Sequence, residues 1–214
     1  MSSTYKALLV FLAIGISLSI GIATYKYNST EADIRTKLVD ATYLYDQNTA
    51  ISNFELMDHH GLPFTPAQLN GQWTFWFFGF THCPDICPIT LGVLSSTVNT
   101  LITKHKIKDK ISIIFVSVDP ERDNTDKLKT YVNAFSEHAI GVTATDDKLA
   151  PFLKNMGIIA TKQKVSDSQS DYLIDHSSSV YLIAPNTGIS ALFGAPHSVE
   201  NFVKDFLTIK KYYQ

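Results

Sequence analysis

The sequence predicts an α/β domain behind one N-terminal transmembrane helix, and three features carry that prediction. A charge-free apolar run extends from Ala7 to Tyr25 near the start of the chain. Two almost wholly apolar segments, Trp73–Phe80 and Ile111–Val118, each lead into a stretch with helical spacing, as strands covered on both faces do in parallel sheets. Near the end, two short apolar runs flank the turn signal Pro185-Asn186-Thr187-Gly188, and a further helical pattern follows Ser198.

The apolar run of nineteen residues lies between Lys6 and Lys26, long enough for a helix to cross a hydrocarbon core of roughly 30 Å. Gly21-Ile22-Ala23 offers small residues to a signal peptidase, but the run exceeds the apolar stretch of about 7–15 residues usual in a cleaved signal, so an uncleaved anchor is expected. Residues 28–50 are mixed and polar with no strong period, and read as a spacer. The expected organisation is therefore an anchor at 1–27, a spacer at 28–50 and a domain at 51–214.

Within the domain, residues 54–65 carry strand-like runs on either side of His60-Gly61 and predict a hairpin. Trp73–Phe80 follows as a buried strand that delivers the chain to the cysteines. A helix over Ile89–Lys106 would bury Leu91, Leu94, Val98, Leu101 and Ile102. The strand Ile111–Val118 stops at Asp119-Pro120, and helical spacing resumes from Thr125 to Glu137 through Leu128, Tyr131, Val132 and Phe135. A short helix near Lys148–Met156, strands at Ile158–Val165, Val180–Ala184 and Ile189–Phe193, and a last helix capped by Ser198 complete the reading. A parallel β-α-β unit first and an antiparallel hairpin plus helix last is the layout of the thioredoxin fold.

At 214 residues and 45% hydrophobic, the chain can bury one substantial core. A formal net charge of -2 gives no basic excess for a phosphate backbone, which excludes nucleic acid as an expected partner. The only cysteines, Cys83 and Cys87, would close too small a loop to staple a domain of this size, so they are read as chemical. Placed four apart where a strand meets a helix, they could share a helix face about 6 Å apart along the axis. That geometry admits a shared metal ion and equally a disulfide. Amides at a helix N-terminus should pull a thiol toward thiolate, the form that attacks disulfides and binds metals. Two soft thiolates select copper(I) or zinc and leave room for a histidine, but spacing alone does not choose among seven histidines.

The segments FGFTHCPDICP (78–88), VSVDPERD (116–123) and DYLIDHSSSVYLIAP (171–185) resemble, in order and spacing, the Sco/SenC family of copper proteins that assist cytochrome oxidase assembly. The likeness covers residues 50–210 or thereabouts. It implies copper bound by Cys83, Cys87 and His176, a set whose sulfurs satisfy copper(I) and whose imidazole helps retain copper(II). The turn Pro185-Asn186-Thr187-Gly188 and the segment Gly141-Val142-Thr143-Ala144 depart from the family pattern without touching those ligands.

Beside these, Asp175 reads as a turn former and His82 should point away from Cys83. His59 and His60 fall in the hairpin turn, and His105, His138 and His197 near helix ends or loops, where solvated histidines are the default. Asp119-Pro120 reads first as a strand terminator. Trp73, Phe75, Trp76, Phe77, Phe78 and Phe80 read as packing, with one or two exposed near the site for partner docking.

The resemblance implies a metallochaperone that delivers copper to the CuA centre of cytochrome c oxidase subunit II, served by a copper donor and a thiol reductant. The alternative is a membrane-anchored thiol-disulfide oxidoreductase in which Cys83 and Cys87 form a redox disulfide and reduce an exported copper protein. Three residues between the cysteines, and no proline just before Val180, set the chain apart from thioredoxin-type reductants. One lysine precedes the span while Lys26, Arg35 and Lys37 follow it, a count that does not favour an exported domain. The site chemistry outweighs that count and places the domain in the periplasm, on a bacterial inner membrane because no Arg- and Ser-rich transit peptide precedes the span.

Overall fold

The computed structural model describes residues 3–44, 51, 53–164 and 172–213. In chain order the elements are α1 (Ser3–Lys37), β1 (Ala41–Tyr43), β2 (Leu56–Asp58), β3 (Pro63–Phe64), β4 (Gln72–Gly79), α2 (Ile86–Thr103), β5 (Lys110–Ser117), α3 (Thr125–Asn133), β6 (Ala139–Thr143), α4 (Asp146–Asn155), β7 (Ala160–Lys164), β8 (Tyr172–His176), β9 (Val180–Ile183), β10 (Ile189–Phe193) and α5 (Val199–Tyr212). Among the described residues one sheet has the order β1-β10-β9-β4-β5-β6-β2-β3, and β7 pairs with β8 alone. β4, β5 and β6 run parallel, with β9 antiparallel to β4 on the other side. This is the thioredoxin-like arrangement expected from the sequence.

The aromatic strand β4 explains the layering. Successive side chains of a strand point to opposite faces. Trp73, Phe75 and Phe77 accordingly join one buried cluster with residues of α2, α3 and α5. Trp76, Phe78 and Phe80 join a second, with α4 and the β2–β3 hairpin. All six rings are buried, including Phe80 beside the cysteines, so none is left exposed for docking as the sequence reading allowed.

The stretch read as a spacer differs from expectation. α1 continues unbroken to Lys37, Ile34 is buried, and Lys37 and Asp33 meet the Tyr212 hydroxyl of α5. Asp205 on α5, itself fully buried, accepts the backbone N–H groups of Val39, Asp40 and Ala41 at 2.8, 2.9 and 2.8 Å, which sets β1 against β10. These contacts are polar and point-like, so they leave no hydrophobic period to read; residues 45–50 lie outside the described residues. Residues Leu8–Tyr25 of α1 are apolar and unburied, which fits a membrane-anchored protein.

β1, β6 and β8 were not anticipated. β6 is short and contains Gly141, where an added Cβ would stand 3.0 Å from Leu128 Cβ; the glycine lets α3 lie close to the sheet. Ser198 stands at the N-cap of α5, but its side chain makes no capping hydrogen bond.

His59, read as a solvated turn residue, is buried. Its Nδ1 accepts the Gly141 N–H at 2.9 Å, so its proton sits on Nε2 and is donated to His60 Nε2 at 2.9 Å. Burial, with the charge on His60 second, holds its pKa below the usual histidine value. A depressed histidine pKa means that the unfolded chain takes up the proton first, so stability present above the usual value is lost as pH falls below it. Lowering the pH from about 7.5 to about 5 should therefore shift the denaturation midpoint of the full chain in detergent more than that of His59→Asn, whose amide oxygen can replace the acceptor; equal shifts would show that His59 is not the titrating group.

Candidate metal centre

β4 and β5 are parallel, so both release their chains at one end of the sheet, the place where open α/β sheets receive ligands. β9 is antiparallel to β4 with Val180 opposite Phe77. The chain upstream of Val180, which contains His176, therefore starts past the same end at which β4 hands over to Cys83.

After Gly79 the chain turns, and the Cys83 N–H donates to the Phe80 carbonyl at 3.2 Å. α2 begins at Ile86, so Cys87 lies in its first turn while Cys83 stands before it. The pair thus does not share a helix face, as the i, i+4 spacing had suggested; the turn brings the thiols together instead. Both cysteines are free, and their side chains hydrogen-bond to each other.

Their surroundings are unequal. Cys83 is half-buried at the seam between the two clusters, whereas Cys87 is completely buried. An added Cβ on Gly79 would stand 2.7 Å from Cys87 Sγ and 2.8 Å from the Phe115 ring, so the glycine supplies the space that the sulfur occupies. Burial pushes the Cys87 thiol well up, helped by the hydrogen bond to Cys83 and opposed by one to the backbone at Phe80. The helix N-terminus was expected to favour thiolate here. Loss of hydration on burial outweighs it.

A polar frame holds the loops around the thiols. Asp123, buried, accepts the Thr81 N–H at 2.9 Å, the Thr81 hydroxyl and the Ser117 hydroxyl at 2.7 Å, tying the cysteine loop to the end of β5. Asp119, equally buried, accepts the Tyr172 hydroxyl at 2.6 Å and the Arg122 Nε–H. The Arg122 guanidinium lies 3.6 Å from the centre of the Tyr172 ring and donates to the Tyr172 carbonyl at 3.1 Å. Burial and the Asp119 bond push the Tyr172 phenol up, keeping it a donor. Tyr172 begins β8, so this clamp docks the strand that ends in His176. Asp119 does more than stop a strand.

Among the other candidates, His82 is half-exposed with Nδ1 3.1 Å from Thr81 Oγ1 and 3.7 Å from Asp123 Oδ1. It borders a cavity of about 440 Å³ with Asp126, Lys127, Thr130 and Tyr131. Tyr131 packs on Phe115, burial pushes its phenol up, and its buried hydroxyl has no hydrogen-bond partner among the described residues. Asp175 is exposed opposite Thr161. The His176 backbone pairs with Ala160, and its side chain lies outside the described residues, as does Asp171. Among the described residues no cluster of three metal-ligating side chains forms.

A family model described as SCO1/SenC matches residues 44–211. The chain belongs to the SCO1/SenC family. Its relatives include a SCO2-like protein of Rickettsia felis, 31% identical over 197 residues that cover 90% of this chain and 95% of that one. Protein SCO1, mitochondrial, of Saccharomyces cerevisiae is 36% identical over 185 residues, covering 86% of this chain and 60% of that one. Against four such mitochondrial relatives, the chain spans between 43% and 60% of their length. The crystal structure of Arabidopsis thaliana ScoI with copper bound matches with a TM-score of 0.71 at 32% identity, covering 77% of this chain and 100% of that one. Yeast Sco1 with copper bound matches with a TM-score of 0.71 at 31% identity over 77% of this chain and 90% of that one.

Asp123 and Tyr172 both lie in segments that carry the SCO1/SenC likeness, yet no spacing rule marks them, because their importance lies in a bond between distant loops. Gly79→Ala tests the sulfur seat: the added methyl must displace Cys87 Sγ or Phe115, so the variant should lose roughly 1–3 kcal/mol of stability by denaturant titration. An unchanged midpoint would mean that the seat is not tight.

Proposed function

We propose that this protein binds copper through Cys83, Cys87 and His176 and carries it to the CuA centre of cytochrome c oxidase subunit II during assembly. The observation that carries the reading is the thiol pair itself: two free cysteines in hydrogen-bond contact at the ligand end of the sheet, one of them open to the surface. Likeness to Sco proteins with copper bound supports copper as the metal. The donor set fits it, since two sulfurs suit copper(I) and an imidazole suits copper(II).

In this reading the chain's residues divide the work. Cys83, half-buried, is the ligand an incoming donor or outgoing acceptor can reach. Cys87 is the interior ligand; its thiol holds its proton until a cation replaces it, so copper uptake releases thiol protons to solvent. The Asp123 and Asp119 clamps keep the cysteine loop and the β8 strand in register. Release proceeds by stepwise thiolate exchange with the partner, and a thiol reductant and an upstream copper donor serve the same pair.

The contact between the thiols also supports a second reading, a thiol-disulfide oxidoreductase working through a Cys83–Cys87 disulfide. Burial of Cys87 weighs against it, because an attacking thiol needs access and ready ionisation. Copper titration of the reduced full chain in detergent separates the two. The carrier reading expects one copper(II) per chain with an intense sulfur-to-copper absorption band, which His176→Ala loses while disulfide exchange persists. Absence of copper binding, with rapid disulfide exchange, would move the assignment to the oxidoreductase.

Residues 1–27 would anchor the chain in a bacterial inner membrane with the domain in the periplasm. A reporter fused after Gln214 should then be active only outside the cytoplasm; cytoplasmic activity would overturn the placement.

A further inference from the structure

His197 was read from the sequence as a solvated loop residue. It precedes α5 and is partly buried, with its ring centre 5.4 Å from that of Phe202. Its Nε2 lies 2.8 Å from the carbonyl oxygen of Ser178. A carbonyl can only accept, so Nε2 carries the proton. Nδ1 is then the unprotonated nitrogen, and it is buried without a hydrogen-bond partner among the described residues. The ring is therefore fixed by a single polar contact, and that contact is to the backbone between His176 and β9.

The residue it grips belongs to the short link between β8 and β9. Ser177 and Ser179 bond to each other, hydroxyl to hydroxyl at 3.1 Å and Ser179 N–H to Ser177 hydroxyl at 3.3 Å, but these bonds are internal to the loop. Upstream, the Tyr172–Asp119–Arg122 clamp fixes the start of β8. Downstream, regular pairing resumes only at Val180. His176 itself pairs through its backbone with Ala160 at the end of β8, and the His197–Ser178 bond holds the chain two residues further on. A backbone carbonyl held from outside limits how far the neighbouring residues can rotate, which is how a supporting group orients a ligand it does not touch.

We propose that His197 is a positioning residue for copper binding: by donating its Nε2–H to the Ser178 carbonyl it holds the His176–Ser179 segment in the conformation that presents His176 to the thiols. The inference rests on the copper-binding reading above. It requires the neutral Nε2–H tautomer and no contact between His197 and the metal. Glutamine, whose terminal amide N–H can reach a similar point, should replace it; alanine should not.

The test uses the full-length chain in detergent, with His197→Ala and His197→Gln beside the wild type, and two readouts. In the metal-free protein, backbone hydrogen exchange at Ser177–Val180 should quicken at least about fivefold in His197→Ala and stay near the wild-type rate in His197→Gln. In the copper(II)-loaded protein, copper release to a chelator should speed up about tenfold in the alanine variant, with a shifted sulfur-to-copper band and unchanged stoichiometry, and return toward wild type with glutamine. Unchanged exchange in His197→Ala would overturn the clamp. Faster exchange with wild-type band position and release rate would overturn its role in presenting the ligand. A wild type that takes up no copper would refute the carrier function and with it that role, while the metal-free exchange data would still decide whether His197 holds the loop.

Discussion

Taking a carboxylate out of water costs several kcal/mol unless hydrogen bonds replace the hydration it loses. The chain leaving β5 carries two fully buried carboxylates, Asp119 and Asp123, and each is satisfied by groups from elsewhere in the chain. Asp123 draws in the turn between β4 and Cys83, while Asp119 draws in Tyr172 at the head of β8. Neither loop could drift without costing a buried carboxylate one of its hydrogen bonds. The thiol pair and the His176 strand are thus referred to one short segment, and the sheet end becomes a site because that segment must be satisfied.

Unequal burial of the two thiols then gives the site a direction. Cys87 sits, fully buried, in a space that exists because residue 79 has no side chain, with Phe115 behind it. Cys83, one turn earlier in the chain, reaches the surface. In the proposed copper site, one ligand would stay with the domain while a partner could contest the other. Two equally exposed sulfurs would let go together; two buried ones would exchange slowly. For the proposed carrier, such an arrangement would suit handover better than storage.

The parts of this structure that were legible in the sequence are those with a period. β4 and β5 declare themselves as apolar runs, α2 by its spaced leucines and valines, and the final hairpin by its turn residues. The cysteines were visible because they are the only two. What escaped was carried by single bonds between distant positions: Asp205 to the chain before β1, His59 to Gly141, His197 to Ser178, Tyr172 to Asp119. Three of these involve residues whose commonest role is on the surface, so a reading from residue type alone assigns them to solvent. Cys87 shows the same limit in energetic form. Its place at a helix terminus was readable, but the burial that outweighs the helix amides depends on Gly79 and Phe115, which meet it only in the folded sheet.

The anchor adds a constraint of a different kind. At about 1.5 Å per residue, a helix from Ser3 to Lys37 is roughly 50 Å long, well beyond the ~30 Å of a hydrocarbon core. The apolar stretch ends at Tyr25, so the helix continues past it and meets α5 directly, through Ile34 and the Tyr212 contacts. Asp205 then fixes the next residues before β1 enters the sheet. A flexible tether would let the domain search a volume set by its length. A continuous helix with a clamped exit instead limits how far the domain can turn about the end of that helix.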